Sequence, residues 1–248
     1  MAARIDTELV RRGLARSRAH AGDLIRSGRV HVDGGPAAKP AQPVEDDASI
    51  EVAGVPEDRD VGRGAAKLRA ALSELGAIGG GPQVQGRRCL DVGASTGGFT
   101  QVLLAAGAES VVALDVGRGQ LAAAVADDPR VTERSGVNIR QTGPADLGGR
   151  FELLVADLCF ISLRLVMPEL ADLVTPGGDL VLLVKPQFEI GRERLGKTGV
   201  VRSAQQRDEA VAAVRTAAES AGLAVQAVVS SRVAGGTGNV EFFLWARR

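Results

Sequence analysis

The stretch from residue 89 to residue 100 constrains the fold of this 248-residue chain more than any other. It reads CLDVGASTGGFT, which is an apolar run, a glycine-rich turn and the beginning of a helix. Because glycine has no Cβ atom, Gly93, Gly97 and Gly98 allow a tight turn and let the backbone approach a ligand closely. The helix that follows leaves unpaired backbone N–H groups at its N-terminus. The stretch therefore predicts the ligand-binding strand, turn and helix of an α/β sheet.

From residue 87 onward, predicted strands and helices alternate. The strands are nearly continuous apolar runs, which is typical of a parallel sheet covered by helices on both faces. The predicted strands are 87–92, 110–116, 134–140, 151–157, 179–185, 224–233 and 239–246. The predicted helices are 97–106, 119–127, 162–174 and 203–221. No helix separates the last two strands, so we expect a doubly wound, Rossmann-like sheet that is mostly parallel with an antiparallel last strand.

Charged residues stand at the ends of four predicted strands, where ligands of open α/β sheets bind. They are Asp91, Asp115, Asp157 and Lys185. Asp115, at the end of the second strand, suits a ribose diol, which fits both NAD and S-adenosylmethionine (SAM). The turn runs G-x-x-x-G-G instead of G-x-G-x-x-G, and Asp91 beside it suits a ligand with a cationic end. These residues favour SAM, with its ammonium and sulfonium groups, and leave NAD as the alternative.

Four charged residues are candidates for the chemistry of the site. Asp157 and Lys185 end strands that we expect to be neighbours, which ordinarily makes them an ion pair. A lysine at the rim of a site and close to other cations has a lowered pKa, however, and can accept a proton from a sugar hydroxyl. Lys67, in a predicted helix over 64–78, and Glu241, an inward charge in an apolar strand, can complete a charged ring. The alternative for Lys67 is an ordinary surface lysine.

The beginning of the chain is a basic unit on an otherwise neutral protein. Residues 1–40 contain eight lysines and arginines against four acids, and residues 41–60 contain seven acids and one arginine. Apolar spacing predicts a helix from Arg4 to Ala15 and a second helix capped by Ser17, followed by short strands. Guanidinium groups match phosphate oxygens, so the arginines favour RNA binding over the alternative of a solvated helical face. The candidate RNA contacts are Arg4, Arg11, Arg12, Arg16, Arg18, Arg26, Lys39 and Arg63.

Composition and spacing exclude several other classes of protein. Cys89 and Cys159 lie far apart in apolar runs, and we interpret both as buried small residues in a reducing compartment. Neither they nor His20 and His31 have the spacing of metal ligands, so no metal is expected. The sequence contains no apolar signal core and no run of the ~20 apolar residues that span a membrane. We expect a cytoplasmic protein with no membrane partner, and in the absence of a dimerisation pattern we expect a monomer.

The beginning of the chain also resembles the S-four-type RNA-binding domain, named after a ribosomal protein. The matching positions are Leu9-Val10-Arg11-Arg12-Gly13-Leu14-Ala15, Ser17-Arg18, Ala21, Leu24-Ile25, Gly28-x-Val30-x-Val32-x-Gly34 and Lys39-Pro40. The resemblance covers about residues 4–54 and implies that this unit binds RNA. We therefore predict a small α+β RNA-binding domain over 1–56, a linker over 57–63 and a methyltransferase domain over 64–248.

Five motifs in the rest of the chain resemble the TlyA family, which is often labelled hemolysin A. They are Arg63-Gly64-Ala65-x-Lys67-Leu68, Asp91-x-Gly93-Ala94-Ser95-Thr96-Gly97-Gly98-Phe99-Thr100, Asp157-Leu158-x-Phe160-Ile161-Ser162-Leu163, Lys185-Pro186-Gln187-Phe188-Glu189 and Gly238-Asn239-Val240-Glu241-Phe242-Phe243. Within them, Lys67, Asp157, Lys185 and Glu241 match the Lys-Asp-Lys-Glu tetrad of FtsJ-type ribose 2′-O-methyltransferases. The resemblance spans nearly the whole chain.

This resemblance implies that the protein transfers a methyl group from SAM to the ribose 2′-OH of a cytidine in ribosomal RNA. It implies that Lys185 is the base, that Asp157 tunes it, and that Lys67 and Glu241 position the ribose. The implied SAM contacts are Asp91, Gly93, Ala94, Ser95, Thr96, Gly97, Gly98, Phe99, Asp115, Val116, Asn138 and Asp157. Longer family members are associated with both ribosomal subunits and shorter ones with the large subunit. The end at Arg248 therefore favours the large subunit, with the small one as the alternative.

Other functions fit the sequence less well. A base-modifying amino-methyltransferase typically carries an Asn/Asp-Pro-Pro-aromatic turn where residues 157–160 read DLCF. A pseudouridine synthase can share the N-terminal domain but not a SAM-type turn, and a pore-forming toxin needs amphipathic or exported segments that the sequence does not contain. A non-enzymatic RNA-binding module is the alternative if the tetrad is only structural. The loop over 188–203, rich in glycine and basic residues, is a candidate mobile lid.

Overall fold

The computed structural model describes residues 3–15, 17–52, 60–196 and 198–248. It divides into two compact units, Met1–Arg59 and Asp60–Arg248. Each unit has its own hydrophobic core. The candidate RNA contact Arg16 and residues 57–59 of the predicted linker lie outside the described residues.

The N-terminal unit is a small α+β domain built around two helices. Its elements are β1 (Ala3–Arg4), α1 (Ile5–Arg11), α2 (Arg18–Arg26), β2 (Val30–Val32), β3 (Gly35–Pro36), β4 (Pro43–Val44) and β5 (Ile50–Val52). Strands β3, β2 and β5 form an antiparallel sheet, and β1 pairs with β4. The core includes Ile5, Leu9 and Leu24. Ser17 caps α2 as predicted, because its Oγ accepts the His20 N–H at 3.2 Å.

Helix α1 ends earlier than the predicted helix, which ran to Ala15. Gly13 adopts a φ of +71°, a left-handed conformation that glycine tolerates and that interrupts the helix. The backbone N–H groups of Leu14 and Ala15 both turn back to the carbonyl oxygen of Leu9. The apolar spacing therefore continues past the point where the helix itself stops.

The second unit is an α/β domain with a seven-stranded sheet. Its elements are α3 (Arg63–Gly76), β6 (Arg88–Val92), α4 (Gly98–Ala105), β7 (Ser110–Asp115), α5 (Ala123–Ala126), β8 (Val131–Ser135), β9 (Phe151–Ala156), α6 (Met167–Asp172), β10 (Val174–Val184), α7 (Pro186–Glu189), α8 (Ala204–Ser220), β11 (Ala224–Ser230) and β12 (Phe242–Arg247). The strand order is β11-β12-β10-β9-β6-β7-β8. Strand β12 runs antiparallel to both β10 and β11, and the other pairings are parallel. The predicted fold class is confirmed, including the antiparallel last strand.

Two hydrophobic layers cover the two faces of this sheet. Helices α3 and α4 contribute residues such as Leu68 and Leu103 to one layer, and α6 and α8 contribute Leu170 and Val214 to the other. Neighbouring strand residues alternate between the layers, because successive side chains of a strand point to opposite faces. The carboxyl ends of the parallel strands β6, β7, β9 and β10 consequently share one edge of the sheet.

Three predicted elements differ from the structure in position or length, and the first is the helix over 119–127, of which only the four residues of α5 are helical. The predicted strand 134–140 is the edge strand β8, which ends at Ser135, and a short 3-10 turn occupies 139–141. Most of β8 is solvent-exposed, so it carries little apolar pattern. The predicted helix 162–174 is divided into a 3-10 turn, Leu163–Leu165, and the six residues of α6, and the chain enters the long strand β10 at Val174. The first part of β10 contains the sequence Pro-Gly-Gly, which does not predict a strand, and its pairing with β9 shifts register between Val174 and Asp179.

Candidate active site

The glycine-rich turn after β6 needs glycine for steric reasons. Gly93 and Gly97 have φ values of +85° and +91°, in the left-handed region. A Cβ atom on Gly93 would lie 2.5 Å from the carbonyl oxygen of Asp157, and one on Gly98 would lie 2.9 Å from the backbone nitrogen of Ala65. The turn therefore packs directly against the end of β9 and the beginning of α3. The other side of the turn lines an open cavity.

Two adjoining cavities lie beyond the strand ends. The larger, of about 720 Å³, is lined by all four residues of the predicted tetrad and by the turn. The smaller, of about 500 Å³, is lined by Asp115, Val116 and Asn138. Ser95 and Asp157 line both cavities. An elongated ligand can therefore cross from one cavity to the other along the turn.

The tetrad forms two ion pairs in the larger cavity. Lys67 Nζ lies 2.6 Å from Glu241 Oε2, and Lys185 Nζ lies 2.5 Å from Asp157 Oδ1. Lys67, Lys185 and Glu241 are buried, and Asp157 is half-buried. Lys67 is therefore not the surface lysine of the alternative interpretation. Charges buried this deeply are costly without a partner, which explains why they pair so closely here.

The pKa of Lys185 is raised, whereas the sequence predicted a lowered pKa. Burial acts to lower the pKa of this lysine, but its ion pair and hydrogen bond with Asp157 act in the opposite direction and raise it overall. Its Nζ also donates to the Sγ of Cys159 at 2.9 Å. In this arrangement Lys185 is an ammonium group, so it becomes a base only when its contact with Asp157 changes.

Cys159 is exposed, and the interpretation of it as a buried residue is wrong. It lies in the loop after β9 and lines both cavities. Its neighbour Phe160 is 91% exposed and has a φ of +63°, which is unusual for a bulky residue. The ring of Phe160 lies 5.4 Å from that of Phe188. Sequence reasoning did not single out Phe160, because an aromatic residue after an apolar strand predicts core packing.

Asp91 lies beneath the turn and lines neither cavity. Its side chain is fully buried, and its Oδ2 accepts the hydroxyl of Thr100 at 2.6 Å. Its Oδ1 has no hydrogen-bond partner among the described residues. Burial raises the pKa of Asp91 to about 7 despite the Thr100 hydrogen bond. Asp91 is not among the residues that line the two cavities, and its contact with a cationic ligand stays a prediction.

The other predicted SAM contacts differ in whether they line a cavity. Asp115 accepts the N–H groups of Ser95 at 2.8 Å and Gly117 at 2.7 Å, so it holds the turn while it lines the smaller cavity. Gly97 faces away from both cavities, since a Cβ there would meet Leu121 at 2.8 Å. The remaining turn residues line the larger cavity: Gly93, Ala94, Ser95, Thr96, Gly98 and Phe99.

Two buried polar side chains tie the loops around the larger cavity together. Glu189, which ends α7, accepts the N–H of Leu163 at 2.8 Å and the hydroxyl of Ser162. It thereby links the loop after β10 to the loop after β9, and burial raises its pKa. Asn239 accepts the N–H of Val201 at 2.8 Å and donates to the carbonyl of Gly199 at 2.9 Å. The end of the candidate lid is thus attached just before β12.

Replacing Glu189 by alanine should reduce methyl transfer by about tenfold, because two charge-assisted hydrogen bonds that fix the Asp157 loop are lost. We expect the affinity for SAM to stay within about twofold, since Glu189 does not line either cavity. Single-turnover rates and calorimetric titration with SAM measure the two quantities. Unchanged turnover would mean that the loop keeps its position without this link.

Five of the candidate RNA contacts in the N-terminal unit are paired with acids. Arg4 and Arg18 contact Asp6, and Arg26 contacts Asp23. Arg11 and Arg12 contact Glu8, Lys39 is exposed, and Arg63 lines the larger cavity of the other unit.

Arg12 is held within its own unit and is the candidate that the geometry favours least. Its guanidinium donates to the carbonyl oxygens of Ala48 at 2.7 Å and Asp46 at 2.8 Å, in addition to Glu8. Its side chain is 24% exposed, whereas that of Arg11 is 61% exposed. Arg12 therefore fixes the chain around residues 46–48 to α1.

The fold and the charged cavity together define a Rossmann-like methyltransferase. Residues 61–248 match the FtsJ-like methyltransferase family, and residues 3–50 match the S4 domain. The chain belongs to the FtsJ-like methyltransferase family and carries an S4 domain at its N-terminus. Its methyl donor is SAM, as predicted. The predicted resemblance to the TlyA and hemolysin A proteins is also confirmed by the relatives described next.

Three relatives cover nearly the whole chain. The 16S/23S rRNA (cytidine-2'-O)-methyltransferase TlyA of Mycobacterium tuberculosis is 51% identical over 245 residues, which are 99% of this chain and 90% of the relative. Hemolysin A of Brachyspira hyodysenteriae is 32% identical, over 96% of this chain and 97% of the relative. A structure described as a hemolysin from Streptococcus thermophilus superposes with a TM-score of 0.74 at 35% identity, over 100% of this chain and 88% of that one.

Two further observations concern metals and membranes. In the described parts of the chain, no three His, Cys, Asp or Glu side chains are grouped so that they could hold a metal ion. Within the described residues, no helix has the length and apolar character needed to cross a membrane.

Proposed function

We propose that this protein transfers a methyl group from SAM to the ribose 2′-OH of a cytidine in ribosomal RNA. The observation that carries the proposal is the meeting of Lys67, Asp157, Lys185 and Glu241 in one cavity beside the glycine-rich turn. Two cations and two carboxylates there suit a neutral, polar hydroxyl that must be oriented and then lose a proton. The relative from M. tuberculosis, at 51% identity, is named for this reaction on 16S and 23S rRNA.

The residues around the turn fit SAM. The smaller cavity, with Asp115, Val116 and Asn138, suits the adenosine part, and Gly93, which lines both cavities, lets the turn pack closely against the Asp157 carbonyl. When bound, SAM supplies a methyl group that its sulfonium already activates. Ser95 lines both cavities and lies where the two parts of the ligand would join.

The tetrad then orients the ribose and removes its proton. Lys67 and Glu241 are held rigidly by their mutual ion pair, so they can fix the position of a sugar hydroxyl. Lys185 can accept the hydroxyl proton only in its neutral form, and Asp157 Oδ1, at 2.5 Å, stabilises the ammonium group that results. With SAM bound, this arrangement would let the hydroxyl oxygen take the methyl group while Lys185 takes the hydroxyl proton.

The surroundings of the cavity suit an RNA substrate. The exposed ring of Phe160 offers a stacking surface for a base turned out of its helix, a mode that RNA-modifying enzymes use. We infer that the N-terminal unit, through Arg4, Arg11 and Arg18, anchors the rRNA. We further infer that the protein acts as a monomer in the cytoplasm, where ribosomal subunits are the substrate.

Replacement of the target cytidine by 2′-deoxycytidine tests the site of transfer, because it removes only the attacking hydroxyl. A synthetic rRNA fragment with the single substitution is incubated with protein and radiolabelled SAM, and the unsubstituted fragment is the control. Transfer should fall to background with the deoxy substrate. Undiminished transfer would mean that the protein methylates a base. Purified large and small subunits, assayed in parallel, identify the subunit.

Replacing Gly93 by alanine should weaken SAM binding by about tenfold or more, because a left-handed alanine costs about 1–3 kcal/mol and its Cβ would meet the Asp157 carbonyl. Gly222 provides a matched control: its φ is +81°, but a Cβ there would meet no atom within 4 Å. Gly222→Ala should lower stability while leaving SAM affinity unchanged. Calorimetric titration compares both variants with the natural protein, and equal SAM affinity in all three would place SAM elsewhere.

A further inference from the structure

The N-terminal unit contains two buried carboxylates that contact four arginines. Asp6 is 3% exposed and Glu8 is 1% exposed, although both are on the short helix α1. A buried carboxylate is costly unless it is paired and hydrogen-bonded. Neither residue contributes to the apolar core, so their burial needs an explanation in terms of the groups they bind.

Asp6 holds two arginines from different parts of the unit. Arg4 donates to it through two nitrogens, Nε at 3.0 Å and Nη2 at 2.8 Å, and Arg18 donates through Nη2 at 3.2 Å. The side chains of Arg4 and Arg18 are nevertheless 50% and 61% exposed. A guanidinium has five N–H groups, so each arginine keeps donors that point to solvent.

Glu8 acts in the same way on the neighbouring pair. Arg11 contacts it through Nε at 2.7 Å and through Nη2, and Arg12 contacts it through Nε at 2.5 Å. The two arginines differ in the N–H groups left for a ligand, since the other nitrogens of Arg12 donate to backbone carbonyls. The hydrogen bonds from Arg11 and Arg12 lower the pKa of Glu8 to about 2, and those from Arg4 and Arg18 also lower the pKa of Asp6. Both carboxylates are therefore charged under all physiological conditions.

An exposed arginine ordinarily samples many rotamers, and it loses that freedom when it binds a phosphate. A carboxylate that already fixes one edge of the guanidinium removes much of this loss before RNA arrives. The other edge remains free to form charge-assisted hydrogen bonds with phosphate oxygens. Among the described residues of this unit, Arg4, Arg11 and Arg18 combine contact with a buried carboxylate and a largely exposed side chain, whereas the partner of Arg26 is itself exposed.

We propose that Asp6 and Glu8 are positioning residues for RNA recognition, which hold Arg4, Arg18 and Arg11 in the orientation that binds phosphate. This rests on the proposed role of the N-terminal unit as the rRNA anchor. The proposal makes a prediction of unusual sign. Removing a negative charge from an RNA-binding surface normally strengthens RNA binding, whereas removing the charge of Asp6 should weaken it.

The test compares Asp6→Asn with Asp23→Asn in the full-length protein. Both changes add one positive charge to the same unit, but Asp23 is 72% exposed and contacts only the exposed Arg26 among the ion pairs described. Binding to a transcribed 23S rRNA fragment is measured at several salt concentrations. Asp6→Asn should weaken binding by about tenfold and reduce the salt slope by about one or two, as when phosphate contacts are lost. Asp23→Asn should leave binding unchanged or slightly stronger.

Equal strengthening by both variants would overturn the proposal, because the carboxylates would then act only as negative charges. Melting temperatures exclude loss of folding, and assays run well below them. A purely structural role would lower the melting temperature without changing affinity or salt slope in the folded protein. If Asp6→Asn does not fold, Glu8→Gln makes the same test on Arg11.

A further variant separates this proposal from the proposed function. Arg4→Ala/Arg18→Ala removes the two arginines that Asp6 holds and leaves the carboxylate in place. If this double variant binds RNA normally, the N-terminal unit is not the anchor, and the proposed function fails in that respect. If it loses binding while Asp6→Asn does not, the anchor stands and the positioning role is wrong. Adding Asp6→Asn to the double variant should have no further effect on RNA affinity.

Discussion

Replacement of Lys185 by alanine is expected to reduce methyl transfer by about 10²- to 10⁴-fold, the usual contribution of a general base. The reason is its place in the larger cavity, where its Nζ lies 2.5 Å from Asp157 and is buried from solvent. The affinity for SAM should change by no more than about twofold, since the turn and the smaller cavity are untouched. Single-turnover transfer of a labelled methyl group gives the rate, and calorimetry gives the affinity.

Lys185→Arg is the matched control, because arginine keeps the positive charge but cannot lose its proton in a protein. Activity near the natural level in this variant would show that residue 185 orients the substrate and is not the base. The pH dependence of the natural protein is a second test of whether Lys185 is the base. Because contact with Asp157 raises the pKa of Lys185, the neutral fraction is small and grows with pH. The single-turnover rate should therefore rise about tenfold per pH unit between about pH 6 and 8, and a flat profile would contradict the role.

Separation of the Lys67–Glu241 pair should have the second largest effect. Glu241→Ala leaves the Lys67 ammonium buried without its partner, and such a loss typically destabilises a protein by about 3–5 kcal/mol. Both side chains are almost fully enclosed, with 9% and 3% of their surface exposed. We expect a clear fall in the midpoint of urea unfolding and an activity below about one per cent, because the ribose loses two of its positioning groups.

A double replacement separates stability from chemistry at this pair. Lys67→Met with Glu241→Leu replaces both charges by apolar groups of similar volume, which is often neutral or stabilising. The double variant should unfold near the natural midpoint and still fail to methylate RNA. Recovery of activity together with stability would mean that the pair only holds α3 against β12.

The sheet could be predicted from the sequence where both its faces are covered. Strands β9 and β10 are apolar along their whole central length, because Leu154 and Leu182 face one hydrophobic layer and their neighbours face the other. The edge strand β8 has no such requirement, and its exposed residues Thr132, Glu133 and Arg134 resemble those of a loop. Apolar patterning thus locates central strands and misses edges.

The candidate site was only partly predictable, since several of its properties depend on contacts between distant residues. Lys67 is buried because it meets a carboxylate 174 residues later in the chain. Asp91 lies beneath the turn, where one of its oxygens accepts the Thr100 hydroxyl, a position that the sequence did not predict. Cys159 was expected in the core, yet it lies in the loop after β9 and on the cavity wall. In each case the position of the side chain depends on how the chain folds around it, and the residue type alone does not determine this.

Analysis of modified nucleosides tests the central claim most directly. Unmodified rRNA is incubated with the purified protein and SAM, digested to nucleosides, and separated by liquid chromatography with mass spectrometry. The predicted product is 2′-O-methylcytidine, with the added mass on the ribose fragment, and it should be absent when Lys185→Ala replaces the natural protein. A methyl group on the base fragment, or no methylated cytidine with active SAM binding, would contradict the account.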